Sequence, residues 1–252
     1  MMGTTEVRLE PQSERFPYAT LRMVRPEAGN ALSREGADQL SEAVDILASD
    51  PPAGVVVAAE GERFFCAGGD LEDYRGLTDR ESAYAVSMHM QDVLGRLRAL
   101  PCLVVCAIEG AAIGGGAELA LACDLRIAGK QATVAMPQSR LGVVLGWGSA
   151  PWLVEAVGRG RAVELLMTGR TVSAHEAVDI GLVNAVVPVG QAEPTARAMI
   201  GQVSEASLSS VHAIKGVLNP AASPADVARI FATLWVGDDH RAAEAAWRDR
   251  AR

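Results

Sequence analysis

AAIGGGAELALACD, from Ala111 to Asp124, sets three consecutive glycines, Gly114 to Gly116, directly against a helix-forming run that opens with Ala117 and Glu118. Glycine is a poor helix residue and alanine the best, so the junction marks a turn that delivers the chain into a helix. A helix start leaves backbone N–H groups without internal acceptors, and its dipole favours negative charge. Glycines there let a ligand atom approach those N–H groups with no side chain in the way. The run just before, CLVVCAIEG (Cys102 to Gly110), is continuously apolar. It reads as a strand buried on both faces that carries the chain into the triplet.

A second junction of the same kind lies upstream. RFFCAGGDL (Arg63 to Leu71) reads as a strand followed by a glycine turn, with CAGGD at Cys66 to Asp70. Alone, each glycine cluster reads first as a tight structural turn of an α/β protein. Two of them, each after a buried strand, are able to aim amide hydrogens at a single oxygen, which is an oxyanion hole. Other glycine motifs fail here. GGGAEL lacks the dinucleotide-binding spacing, no Gly-Lys-Thr phosphate cradle exists, and GRGR (Gly158 to Arg161) reads as a helix boundary.

Outward from these turns the pattern is α/β. EVRLEPQ and YATLRMV alternate as a half-exposed hairpin, and Ser33 is placed to cap a helix that runs to Ser49. GVVVAAE is a short buried strand, and Arg80 to Leu100 is helical until Pro101 stops it. DLRIA, ATVAM and NAVVP are short strands, with WLVEAVG, RAVELLMTG and SAHEAVDIG as short helices. From Gln191 the chain is helical. The division is an α/β core over residues 1–188 and a C-terminal helical region over residues 189–252.

Composition bounds the partners. The 252 residues carry a formal net charge of −8 and no run of five like charges, which argues against nucleic acid or an anionic membrane. The start lacks a secretory pattern and no segment of about 18 apolar residues is present, so a cytoplasmic protein is expected. Cys66, Cys102, Cys106 and Cys123 sit in apolar contexts without paired metal spacing. They read as buried thiols, and no metal site is expected.

The stretches VRPEAGNALS, GERFFCAGGDL, VVCAIEGAAIGGGAELALACDLRIA, LGVVLGWG and AVELLMTGRTVSAHEAVDIGLVNAVVP together resemble the enoyl-CoA hydratase/isomerase family, the crotonase superfamily. The resemblance covers most of Val24 to Pro188. It implies a ββα spiral core with a C-terminal helical trimerisation region, a homotrimer or dimer of trimers, and an acyl-CoA thioester as substrate. Coenzyme A is then part of the substrate and no separate cofactor is needed. The oxyanion donors fall at Gly69 and Gly115, and Glu118 takes the place of one of the two glutamates of the family's hydratases. The other falls at Gln138, an amide that orients water but does not exchange a proton near neutral pH.

That departure weakens double-bond isomerisation, which needs the second carboxylate. Hydration of a 2-enoyl-CoA through Glu118, with Gln138 holding the water, leads. Decarboxylation of a methyl- or ethylmalonyl-CoA is the alternative, since loss of CO2 makes the enolate without a base. LGVVLGWG and VSMHMQDVLGRLRALP are similar to stretches of the family's ethylmalonyl-CoA decarboxylases. A silent acyl-CoA-binding member is the third reading. The dehalogenase branch needs an aspartate where this chain has Gly146. The resemblance also assigns Ala67 and Leu71 to the nucleotide and pantetheine path. Trp147 is a candidate pocket wall, or a core residue, and His89 is a candidate site residue, or a satisfied histidine. Glu27 stands where a basic residue usually meets the CoA phosphates, so Arg25, Arg22 or Arg250 is expected to substitute.

Overall fold

The computed structural model describes residues 5–11, 18–218 and 221–250, with residues 249 and 250 as backbone only. Strands β1 (Val7–Glu10) and β2 (Tyr18–Met23) pair antiparallel as the hairpin reading predicts, but β2 is not half-exposed: it also pairs with the next strand, and Tyr18, Ala19, Thr20, Leu21 and Met23 are buried. Helix α1 (Arg34–Ser49) begins where the Ser33 hydroxyl accepts from the Gly36 amide, satisfying one of the helix's free donors. Strands β3 (Gly54–Ala59) and β4 (Phe64–Cys66) lead to the one-turn helix α2 (Leu71–Tyr74) and the long α3 (Arg80–Ala99). Strands β5 (Leu103–Ile108) and β6 (Ala111–Ile113) lead to α4 (Gly115–Ala122), and β7 (Leu125–Gly129) leads to β8 (Thr133–Ala135).

Three successive strand pairs therefore make a spiral. The first strand of each pair (β3, β5, β7) lies parallel in a six-stranded sheet, and the second (β4, β6, β8) lies parallel in a four-stranded sheet. Next come α5 (Ala150–Val157), α6 (Arg159–Thr168), β9 (Thr171–Ser173), α7 (Ala174–Asp179) and β10 (Ala185–Val187). β9 closes the small sheet antiparallel to β8, and β10 closes the large one beside β7. The chain ends in α8 (Ala192–Ser204), α9 (Leu208–Leu218), α10 (Pro224–Trp235) and α11 (Asp238–Arg250).

One sequence expectation is corrected. The buried strand at Cys102 does not itself enter the glycine triplet. The chain turns at Glu109 and Gly110 and forms β6 in the other sheet first. Gly110 permits the corner, because a Cβ there would stand 2.5 Å from the carbonyl carbon of Arg63. A strand of three residues is too short for alternation to register in the sequence.

The large sheet is buried on both faces, as its uninterrupted apolar strands require. Val55, Val57, Val104 and Cys106 face a core shared with Leu40, Val44 and Leu47 of α1 and Met90, Val93, Leu94 and Leu97 of α3. On the opposite face Val56, Ala58, Val105, Ala107 and Ile127 meet Ala192, Ala196 and Ile200 of α8. Full burial of each large aliphatic side chain contributes about 1.5–3 kcal/mol. Helix α8 thus packs against the core, while α9 and α10 have no buried residue. All four cysteines are buried and free. Among the described residues no helix is long and apolar enough to cross a membrane.

Candidate active site

Each glycine of the triplet has its own reason. Gly114 caps α4 with φ 55°, a conformation that side chains disfavour. A Cβ on Gly115 would lie 2.5 Å from the Trp147 ring, and one on Gly116 would collide with the carbonyl oxygen of Cys66. The second contact joins this turn to CAGGD, and Gly68 completes the junction. Gly68 has φ 99°, and its Cβ would stand 2.8 Å from the backbone nitrogen of Gly115. The two turns are therefore in direct contact, backbone to backbone.

The CAGGD turn is clamped from behind by the segment around Leu32. The Leu32 amide donates to the Gly68 carbonyl and the Asp70 amide donates to the Leu32 carbonyl, both at 2.8 Å. Gly69 lies between these two bonds, and among the described residues neither its N–H nor that of Gly115 donates to a protein acceptor. Aromatic rings flank both positions: a Cβ on Gly69 would meet the Tyr74 ring at 2.5 Å, as Trp147 meets Gly115.

Glu118, on the first turn of α4, is 1% exposed. Its Oε2 accepts from the amides of Trp147 (3.0 Å) and Ser149 (3.4 Å) and from the Ser149 hydroxyl (3.1 Å). Its Oε1 faces Gln138 Nε2 at 3.4 Å. Burial pushes the Glu118 carboxyl above the ordinary carboxylate range, while the bonds from Ser149, Trp147 and Gln138 pull the other way. Burial wins. A carboxyl tuned upward in this way exchanges protons nearer neutral pH than a surface glutamate does.

Gln138 uses its amide nitrogen on Glu118, which leaves its buried Oε1 without a protein partner. Gly114 lies beside it, since a Cβ there would come 3.7 Å from Gln138 Nε2. The loop carrying Trp147 is fixed to α3, where the Ser87 hydroxyl donates to the Gly146 carbonyl at 2.6 Å and Gln91 Nε2 donates at 3.3 Å. Gly69, Gly115, Glu118, Gln138 and Trp147 are thus brought together, with Ala67 half-buried in the same turn and Leu71 exposed at its end.

Three sequence candidates face other protein groups rather than the cluster. His89 Nε2, itself buried, lies 3.1 Å from Asp38 of α1, on a different side of α3 from Ser87 and Gln91, which hold the Trp147 loop. The Arg25 side chain is 14% exposed, and its two terminal nitrogens are engaged, pairing with Glu6 at 2.9 Å and Asp70 at 2.6 Å and donating to the Ala31 carbonyl at 2.8 Å, while its buried Nε has no protein partner. Arg22 is likewise held by Glu10 and Glu193. Neither guanidinium is available to coenzyme A phosphates without breaking these pairs. The side chain of Arg250 lies outside the described residues.

The sequence reading missed Ser149 and Tyr74. Ser149 is wholly buried against Glu118, yet in the sequence it is only one serine in a glycine-rich loop. The Tyr74 hydroxyl is buried without a protein partner, and burial, reinforced by Asp73 and Asp70, pushes its pKa up to about 12. It stays a neutral phenol, a donor as well as an acceptor.

With the fold and this cluster in place, comparison with known proteins is direct. The enoyl-CoA hydratase/isomerase family model matches residues 18–235. The chain belongs to the enoyl-CoA hydratase/isomerase family. It is 38% identical to YngF of Bacillus subtilis over 202 residues, 80% of this chain and 77% of that one. It is 34% identical to echA8 of Mycobacterium tuberculosis, covering 86% and 83% of the two chains. Among solved structures, an enoyl-CoA hydratase from Bacillus anthracis superposes with a TM-score of 0.92 at 26% identity, over 98% of this chain and 97% of that one. DspI of Pseudomonas aeruginosa gives 0.90 at 28% identity, over 99% and 96%.

Proposed function

We propose that this protein is an acyl-CoA enzyme that adds water reversibly to a 2-enoyl-CoA. The thioester oxygen accepts hydrogen bonds from the N–H groups of Gly69 and Gly115. Glu118 takes a proton from water, the water oxygen bonds to Cβ, and the C=C electrons move onto the thioester as an enolate. Glu118 then returns the proton to Cα, and Gln138 orients the water through its free Oε1. Charge grows on the oxygen toward the transition state, so donors aimed there accelerate the step, and one such donor is worth about 3 kcal/mol.

The observation that carries this reading is the contact of Gly68 with the Gly115 nitrogen. It joins two turns whose amides at Gly69 and Gly115 have no protein acceptor, beside a buried Glu118. The similarity to proteins named enoyl-CoA hydratases supports the same assignment. Exposed Ile214, Val217, Leu218, Phe231 and Trp235 on α9 and α10 support assembly of copies of the chain into trimers.

A second reading, decarboxylation of a malonyl-type CoA ester, is favoured by one observation: at position 138 Glu118 faces an amide rather than a carboxylate. Incubation with crotonyl-CoA and, separately, with methylmalonyl- and ethylmalonyl-CoA tests both. Loss of the 2-enoyl absorbance with a product heavier by one water supports hydration. CO2 release from the malonyl esters with inert crotonyl-CoA replaces it with decarboxylation. Binding without turnover of any ester leaves an acyl-CoA-binding protein.

A further inference from the structure

Arg25 sits behind the CAGGD turn and its guanidinium joins three separate pieces of chain. Nη1 donates to Glu6 at 2.9 Å, while Nη2 donates to both Asp70 (2.6 Å) and the Ala31 carbonyl (2.8 Å). Glu6 is itself nearly buried and also accepts from the Ser33 amide and hydroxyl. Asp70 caps α2, accepting from the amides of Glu72 and Asp73. The two chain segments that Arg25 ties together, at Ala31 and at Asp70, are the two that bracket Gly69. Leu32 bonds to the peptides on either side of it, and the Ala67 amide adds a bond to the Gly29 carbonyl at 2.9 Å.

This arrangement fixes the plane of the Gly69 peptide without touching its N–H. Rotation of that peptide breaks the bond from the Leu32 amide to the Gly68 carbonyl, and the Arg25 bonds to Asp70 and Ala31 tether the two segments on which that bond depends. Asn30, at φ 54°, strengthens the template: its side-chain amide donates to the carbonyls of Glu60 and Phe64, both at 2.9 Å, and its Oδ1 accepts from the Arg25 amide. Fixed donors stabilise a developing oxyanion without reorganising during the reaction.

Resting on the reading of Gly69 as an oxyanion donor, we propose that Arg25 is a positioning residue that holds the Gly69 N–H in line through Asp70 and Ala31. It does not hold the coenzyme A phosphates. Its effect belongs to the transition state, so its loss lowers kcat and leaves affinity for the nucleotide end unchanged.

The test uses Arg25→Ala, Arg25→Lys and the near-isosteric Asp70→Asn, the last keeping the proposal testable if Arg25→Ala fails to fold. Crotonyl-CoA and crotonyl-pantetheine, which lacks the nucleotide phosphates, are compared as substrates. The carbonyl stretch of bound butyryl-CoA is measured by infrared difference spectroscopy. The expected result is a kcat at least tenfold lower with both thioesters in Arg25→Ala and Asp70→Asn. KM stays within threefold, Arg25→Lys recovers part of the activity, and the lowered carbonyl frequency of the bound ester moves back toward that of the free ester. A KM that rises tenfold for the CoA ester alone overturns the proposal and returns Arg25 to the phosphates. An unchanged kcat and carbonyl frequency in both variants also overturns it. If the wild-type protein itself does not lower the carbonyl frequency, the oxyanion assignment of Gly69 falls, and this proposal with it.

Discussion

The Ser149 hydroxyl donates to Oε2 of Glu118 at 3.1 Å inside a site where both residues are buried. Ser149 therefore stabilises the charged form of a carboxylate that burial makes less acidic, and it shares that task with the Trp147 amide and Gln138. The balance sets where the proposed base ionises.

The sign of the pH dependence follows. Glu118 acts on water only when ionised, and its pKa lies above the usual carboxylate range, so the acid limb of kcat/KM should lie above that of an ordinary glutamate. Removing the hydroxyl in Ser149→Ala takes away a contribution that lowers the pKa, and the limb should move further up. A pH profile of crotonyl-CoA hydration checks this, and a limb that stays put or moves down refutes it. Stability follows the same linkage. The folded pKa exceeds the unfolded one, so Glu118's contribution is fully present below the unfolded value and is lost as pH rises through the folded one.

Glu118→Gln should reduce turnover by about a hundredfold or more while acyl-CoA binding persists, the usual scale for loss of a general acid–base. Stopped-flow turnover with calorimetric binding of butyryl-CoA separates the two. Undiminished turnover removes Glu118 from the mechanism.

Two glycine-to-alanine changes should act in opposite directions. Gly116→Ala drives a methyl group into the Cys66 carbonyl, backbone that is unable to yield, and should destabilise the protein by about 1–3 kcal/mol. Gly95→Ala on α3 meets nothing within 4 Å and should stabilise it by about 0.5–1 kcal/mol. Urea denaturation of both variants is the measurement. Equal effects would contradict the packing of α4 on the CAGGD turn.

His89→Ala should leave kcat/KM within twofold of wild type, because the ring faces Asp38 of α1 and not the Glu118 cluster. Steady-state kinetics on the same ester decides it, and a tenfold loss would bring His89 back to the site.

Lys215 of α9 donates to Asp124 Oδ2 at 2.9 Å and to the Cys102 carbonyl at 3.3 Å, tying an otherwise unburied helix to the core. Lys215→Met should loosen α9, seen as faster limited proteolysis between α8 and α9 with the core melting transition moved by only a few degrees. Unchanged cleavage would show that other contacts hold the helix.

How much of this was legible beforehand depends on the range of the forces involved. The Ser33 cap, the stop at Pro101 and the strands β3 (Gly54–Ala59) and β5 (Leu103–Ile108) follow from neighbours a few residues apart, and each was readable from order alone. So were the two glycine turns and the glutamate at 118 beside them, whereas the amide at 138 and the role of Glu118 were marked out by the family resemblance. The short strand β6 was not, since three residues show no period. Nor was the fate of Arg25. Its charge and its position before the turn suited a phosphate, but Glu6 and Asp70, nineteen positions before it and forty-five after, occupy both of its arms. Ser149 meets Glu118 across 31 residues and Tyr74 meets Gly69 only because a one-turn helix folds back on its own cap. Order along the chain decided what chemistry was on hand. Only folding decided which groups are already spent on one another and which stay free to act, because that depends on distances between segments the chain itself keeps apart.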